Sequence, residues 1–160
     1  MSTVAVTDFI EAPVVDVWAL LTDLPVRVDW LCTVSAVEPL TPGPFGPGTA
    51  WRETRTRPDG GDQAEEFLVL AAEPPHRLVL SSPGIGVDYR ITWTLRAVQR
   101  RRRACTAVTV EHRAVPTAPY GRMMALLFGG LAARTVEGAI RRDLTALAAT
   151  VHSTGRATAA

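Results

Sequence analysis

A chain of 160 residues in which 17 Lys and Arg face 16 Asp and Glu, for a net charge of +1, has no global field with which to gather nucleic acid. Hydrophobic residues make up 47%, but they come in short runs such as Met123 to Phe128, far below the roughly 20 a bilayer span requires, so no integral membrane segment is expected. Two cysteines, Cys32 and Cys105, lack CxxC spacing and a nearby histidine cluster; this argues against a zinc site or disulfide framework, and both read as small buried hydrophobes.

The N-terminus, MSTVAVTDFI, lacks a basic region followed by an apolar core and a cleavage site, so a cytoplasmic location is expected. Thr3 to Glu11 alternate as a strand with Val4, Val6 and Ile10 on one side. Pro13 suits the first turn of a helix, and Val14, Val17, Trp18 and Leu21 recur at helical spacing. Asp23 and Pro25 end that helix and allow a second short one up to Trp30.

Leu31 to Leu40 reads as a strand and Thr41 to Gly48, TPGPFGPG, as an irregular loop. Five strands are expected next: Thr49 to Arg57, Gln63 to Glu73, Arg77 to Ser82, Val87 to Gln99 and Ala104 to Ala114. PDGG, EPPH, SPGIG and RRRR separate them, and such short polar connections favour antiparallel hairpins. From Tyr120, the residues Leu126, Gly129, Ala133, Val136, Ile140, Leu144, Leu147 and Val151 step by three or four, the pattern of one long helix. A chain of this size buries roughly 70% of its unfolded surface, so one domain, 1–152, is expected, with a frayed tail over 153–160.

This order, with IEAPVVDVWALLTDLPVRVDW at its head, GPGTAWR before the third strand, AAEPPHRLVL across the fourth and fifth, and a long C-terminal helix, resembles the START-like helix-grip superfamily. The branch it is most similar to is the polyketide cyclase/dehydratase and lipid-transport family. The resemblance implies an α+β helix-grip fold: a curved seven-stranded antiparallel sheet wrapped around the long C-terminal helix, with two short helices between strands 1 and 2 closing one end. One helix cannot fill a large concave sheet, so an internal pocket is expected.

Alternation proposes which side chains look inward. Tyr89, Ile91, Trp93 and Leu95 share one face of the sixth strand, opposite Arg90, Thr92, Thr94 and Arg96; Thr106, Val108, Val110 and His112 share one face of the seventh. On the third strand Trp51, Glu53 and Arg55 lie together, but either face buries polar groups or excludes Trp51. On the fourth, periodicity does not separate Glu66, Leu68 and Leu70 from Glu65, Phe67 and Val69. The start of the long helix offers Tyr120, Met123, Met124, Leu127, Phe128 and Leu131 as a roof.

The candidate catalytic residues are His112, Glu53, Glu66 and Tyr89, and the candidate ligand-binding residues are Trp30, Trp51, Arg55, Ile91, Trp93, Val110, Tyr120, Met124, Leu127, Phe128 and Leu131. Each has a structural alternative: Trp18, Trp30 and Trp93 as core, His112 as a strand-end histidine, and Glu53, Arg55 and Glu66 as solvated or ion-paired strand positions. RRRR is most simply a solvated hairpin tip. No HExxH, GxSxG, P-loop or GxGxxG motif is present, and His76, His112 and His152 do not group by spacing, so neither metal nor cofactor is expected.

Two readings follow. In the first the chain binds a hydrophobic small molecule, such as a polyketide, lipid or aromatic metabolite, in the pocket. In the second, the resemblance implies a polyketide aromatase/cyclase or dehydratase that positions its substrate and moves protons with pocket residues. The expected partner is a hydrophobic small molecule, with no nucleic acid, for a monomer or homodimer.

Overall fold

The structure, a computed structural model, describes residues 3–57, 59–84 and 86–158, the side chains of 119–132 and 155–158 excepted. Strand β1 (Thr3–Ile10) leads into helices α1 (Val14–Thr22) and α2 (Arg27–Trp30). Six strands follow, β2 (Val34–Pro39), β3 (Ala50–Thr56), β4 (Asp62–Glu73), β5 (Arg77–Gly84), β6 (Val87–Arg100) and β7 (Arg103–Pro116), and then α3 (Pro119–Thr158).

The seven strands form one sheet in the order β1-β7-β6-β5-β4-β3-β2, antiparallel throughout. Strands β2 to β7 pair with their sequence neighbours because their connections are short, while β1 returns to the far edge against β7. The α1-α2 segment fills the crossing between the two edges. Helix α3 packs on β1, β7, α1 and α2, giving the helix-grip arrangement.

Alternation decides burial. Val6 and Ile10 of β1, Ile91, Trp93 and Leu95 of β6, and Val108 and Val110 of β7 are all buried and meet Ile140, Leu144, Leu147 and Val151 from α3. Each such aliphatic side chain contributes about 1.5–3 kcal/mol by leaving water. In α1, Val17 and Leu21 face the same core, and Trp18 packs on its margin.

Some expectations are corrected. Cys32 is exposed, not buried, because Leu31 takes the buried position at the end of α2 and the chain turns before β2 begins. Strand β5 runs on to Gly84, into the turn expected from SPGIG. In β4, where periodicity does not choose a face, Phe67 and Val69 are buried while Leu68 and Leu70 lie exposed on the outer side with Glu66. At the β6-β7 turn, Arg101 and Arg102 take φ of 50° and 63°, a left-handed conformation that costs a non-glycine residue roughly 1–2 kcal/mol.

Candidate functional site

The third strand resolves its own ambiguity by burying the charged face. Trp51 and Glu53 are buried and Arg55 half-buried, because α2 supplies Arg27 as a partner for the carboxylate. Arg27 Nε donates to Glu53 Oε1 at 2.6 Å, Trp51 Nε1 donates to the same oxygen at 2.9 Å, and Arg55 Nη2 donates to Oε2 at 3.0 Å. Glu53 is wholly out of solvent. Burial would push its carboxyl up, but Arg27, Arg55 and the Trp51 N–H overcome that and hold it below the usual carboxylate range. It stays a carboxylate.

Rings enclose the pair. The Arg27 guanidinium lies 5.6 Å from the centres of both Trp30 and Trp51, and Trp51 stacks on Phe67 at 5.3 Å and meets Phe45 of the glycine- and proline-rich loop at 6.2 Å. Arg27 also donates to the Leu21 carbonyl at 3.3 Å. The α1-α2 segment is thus fastened to β3 by charge as well as by packing.

Arg55 carries the network outward. Its guanidinium reaches Asp143 of α3 at 3.6 Å, Glu65 of β4 at 3.7 Å and the Thr33 hydroxyl at 3.2 Å. Burial pushes both the Glu65 and Asp143 carboxyls up, against the pull of Arg55. Burial works the other way on Arg55, where the three carboxylates prevail and raise it. Glu53 therefore acts as a fixed anchor, while burial biases the Glu65 and Asp143 carboxyls upward. Trp30 Nε1 and Arg55 Nε are buried donors with no hydrogen-bond partner among the described residues.

A second group lies on β6 and β7. Tyr89 and His112, both half-buried, pack with ring centres 5.2 Å apart. Burial lowers the His112 imidazolium, favouring the neutral ring. Gly84 makes room for Tyr89: a Cβ there would sit 2.9 Å from the tyrosine ring and 2.8 Å from the Val87 carbonyl. Ile91, Trp93 and Val110 are buried on the same inner face.

The structure thus brings Trp30, Trp51, Glu53 and Arg55 into one cluster and Tyr89, His112, Ile91, Trp93 and Val110 onto one stretch of sheet. Among the described residues no hydrogen bond, ion pair or ring contact joins the two groups. Glu66 is a correction: it lies on the outer face, exposed, and pairs with Arg52 at 2.7 Å, because Phe67 and Val69 take the inner side of β4. The side chains of Tyr120, Met123, Met124, Leu127, Phe128 and Leu131 lie outside the described residues.

Sequence reasoning missed Arg27, Glu65 and Asp143. Asp143 had a usable signal: it falls on the stripe of Val136, Ile140 and Leu147 at steps of four, three and four. Arg27 had none, since only the fold sets it opposite Glu53. Two surface clefts, one of 520 Å³ beside Glu11, Asp16, Arg103 and His152 and one of 180 Å³ beside Phe9 and Arg100, involve neither group. Among the described residues no three His, Cys, Asp or Glu are grouped as a metal requires, and no helix is long and apolar enough to cross a membrane.

Residues 1–152 match the model of one protein family, polyketide cyclase/dehydrase and lipid transport. The chain belongs to that family. Solved structures of the same fold include the Zhui aromatase/cyclase from Streptomyces sp. R1128, at 18% identity and a TM-score of 0.74 over 98% of this chain and 96% of that one. The di-domain aromatase/cyclase StfQ of the steffimycin biosynthetic pathway aligns at 16% identity and a TM-score of 0.71, over 96% of this chain and 52% of its own. TTHA0849 from Thermus thermophilus shares 20% identity at a TM-score of 0.69, over 95% of this chain and 98% of that one. No curated protein matches this polyketide cyclase/dehydrase family member in sequence. At these identities the structures establish the fold alone.

Proposed function

We propose that this protein binds a hydrophobic small molecule, such as a polyketide, lipid or aromatic metabolite, between the inner face of the sheet and α3. The observation that carries the reading is Trp30 Nε1, a buried donor with no hydrogen-bond partner among the described residues, together with Arg55 Nε, which faces Glu65 Oε2 at 3.7 Å, too far for a hydrogen bond. A buried unpaired N–H is unfavourable, and a ligand with an apolar body and a carbonyl, phenolate or carboxylate oxygen would satisfy it. The apolar body would lie along Trp93, Ile91 and Val110, with Tyr89 and His112 at its edge. The family name, which joins polyketide processing to lipid transport, supports this ligand class.

Native mass spectrometry of the purified chain beside a denatured sample tests it. An apolar adduct that is lost on denaturation is the expected result. No adduct, together with no displacement of a bound naphthalene-sulfonate dye by fatty acids or anthraquinones, would reject the reading.

A second reading, aromatase/cyclase or dehydratase activity, is favoured by Glu65 and Asp143. Two carboxyls that burial biases toward the protonated form flank a guanidinium that stays charged, which suits proton donation beside an oxygen that gains negative charge. In this reading Asp143 or Glu65 protonates, Arg55 holds the developing oxyanion and Glu53 positions Arg55. Asp143→Asn should then abolish turnover of a poly-β-ketone thioester while leaving its binding in place. Unchanged turnover would remove Asp143 from the chemistry.

A further inference from the structure

The four arginines at the β6-β7 turn belong to neither inner group. We propose that this turn, with Phe9 beside it, is a docking surface for a membrane that contains anionic phospholipid. Arg100 and Arg103 form the last cross-strand pair of the hairpin, placing like charges face to face, which disfavours the pairing. Between them, Arg101 and Arg102 occupy both turn positions at positive φ, where Asn-Gly is strongly preferred. Turn chemistry and charge pairing are thus both violated at one spot. That is the pattern expected where a partner, rather than folding, dictates residue choice.

The surroundings select the partner. All four arginines are exposed. Arg103 engages Glu11 at 3.1 Å, which lowers the local charge by one; among the described residues Arg101 and Arg102 have no ion-pair partner. The Arg100 guanidinium lies 4.3 Å from the centre of the Phe9 ring, and Phe9 is itself 45% exposed at the end of β1. An exposed aromatic ring bordered by arginines fits the boundary of a bilayer: the guanidinium groups meet phosphates while ring and aliphatic stems rest among the upper acyl carbons.

A nucleic acid would call for a longer basic stripe with several stacking rings, and an acidic peptide would gain little from Phe9. Because the whole chain carries only +1, the attraction is local and acts within about 10 Å at 0.1 M salt. Docking is therefore reversible and fixes which part of the protein meets the bilayer.

The test is co-sedimentation of the full chain with vesicles of phosphatidylcholine alone or mixed with phosphatidylserine, at low and high salt. Binding to the anionic vesicles only, weakened by salt, is expected. The double variant R101N/R102G installs the favoured turn, so its melting temperature should hold or rise while vesicle affinity falls roughly 25-fold, about fivefold for each arginine near the surface. Phe9→Ser should weaken vesicle binding while leaving any association with soluble polyglutamate or DNA unchanged. No binding to anionic vesicles at low salt, equal binding to neutral ones, or full binding by R101N/R102G would overturn the proposal. So would an affinity for polyglutamate or DNA matching that for vesicles, with no effect of Phe9→Ser.

Discussion

Arg27 Nε donates to Glu53 Oε1 across 2.6 Å, joining the four-residue helix α2 to the inner face of β3 where both side chains are almost wholly shielded from water. The pair orients more than it stabilises, since desolvation of two charges offsets most of their attraction. It also fixes Glu53 so that its second oxygen holds Arg55. The positions of Arg55, Glu65 and Asp143 rest on that anchor.

Glu53→Gln keeps the volume but leaves Arg27 buried beside a neutral amide. A loss of about 3–5 kcal/mol is expected, read from the denaturant midpoint. Replacing both partners together, Arg27→Met with Glu53→Leu, should recover part of it, because Arg27 is no longer a buried unpaired charge, while Arg55 and the Trp51 N–H still lose the Glu53 oxygens. A Glu53→Gln chain as stable as the parent would show that the pair is not formed as described.

Glu66 makes the contrasting case. Its bond to Arg52 lies in solvent, where ion pairs contribute about 0–1 kcal/mol. Glu66→Gln should leave both the melting temperature and dye binding nearly unchanged. A marked loss of dye binding would place Glu66 inside the sheet after all.

Trp93 is buried on the inner face of β6 against the core. Trp93→Ala should lower stability by about 3–5 kcal/mol, and under the proposed function it should also weaken dye binding. Trp93→Phe, with less volume removed, separates the two effects: ligand affinity measured on a well-folded variant reports the contact itself.

His112 gives a pH dependence of definite sign. Burial holds its ring neutral and lowers its pKa beneath the ordinary 6.5, so on acidification the unfolded chain takes up a proton before the folded one does. This component of stability is present above 6.5 and is lost as pH falls from there toward the folded value. Urea midpoints measured between about pH 7.5 and pH 5.5 should fall less steeply in His112→Gln than in the parent. Identical slopes would mean that the ring is solvated.

The sequence by itself determined the order and type of the elements, because these follow from local period: two along β6 and β7, and steps of three and four along α3. It also determined the inner faces where polarity alternates cleanly, as Ile91, Trp93 and Leu95 do against Arg90 and Arg96. Where both faces of a strand carry charges, as in β3, or mix apolar and acidic groups, as in β4, period does not choose between them. Only the tertiary structure decided that Glu53 and Glu65 point in while Glu66 points out, and that Cys32 faces solvent. The reason is that a charge enters a core only when its counter-charge arrives there too. For Glu53 that partner comes from α2, and for Arg55 from α3, 88 positions away at Asp143 by their numbering; no local pattern holds that information.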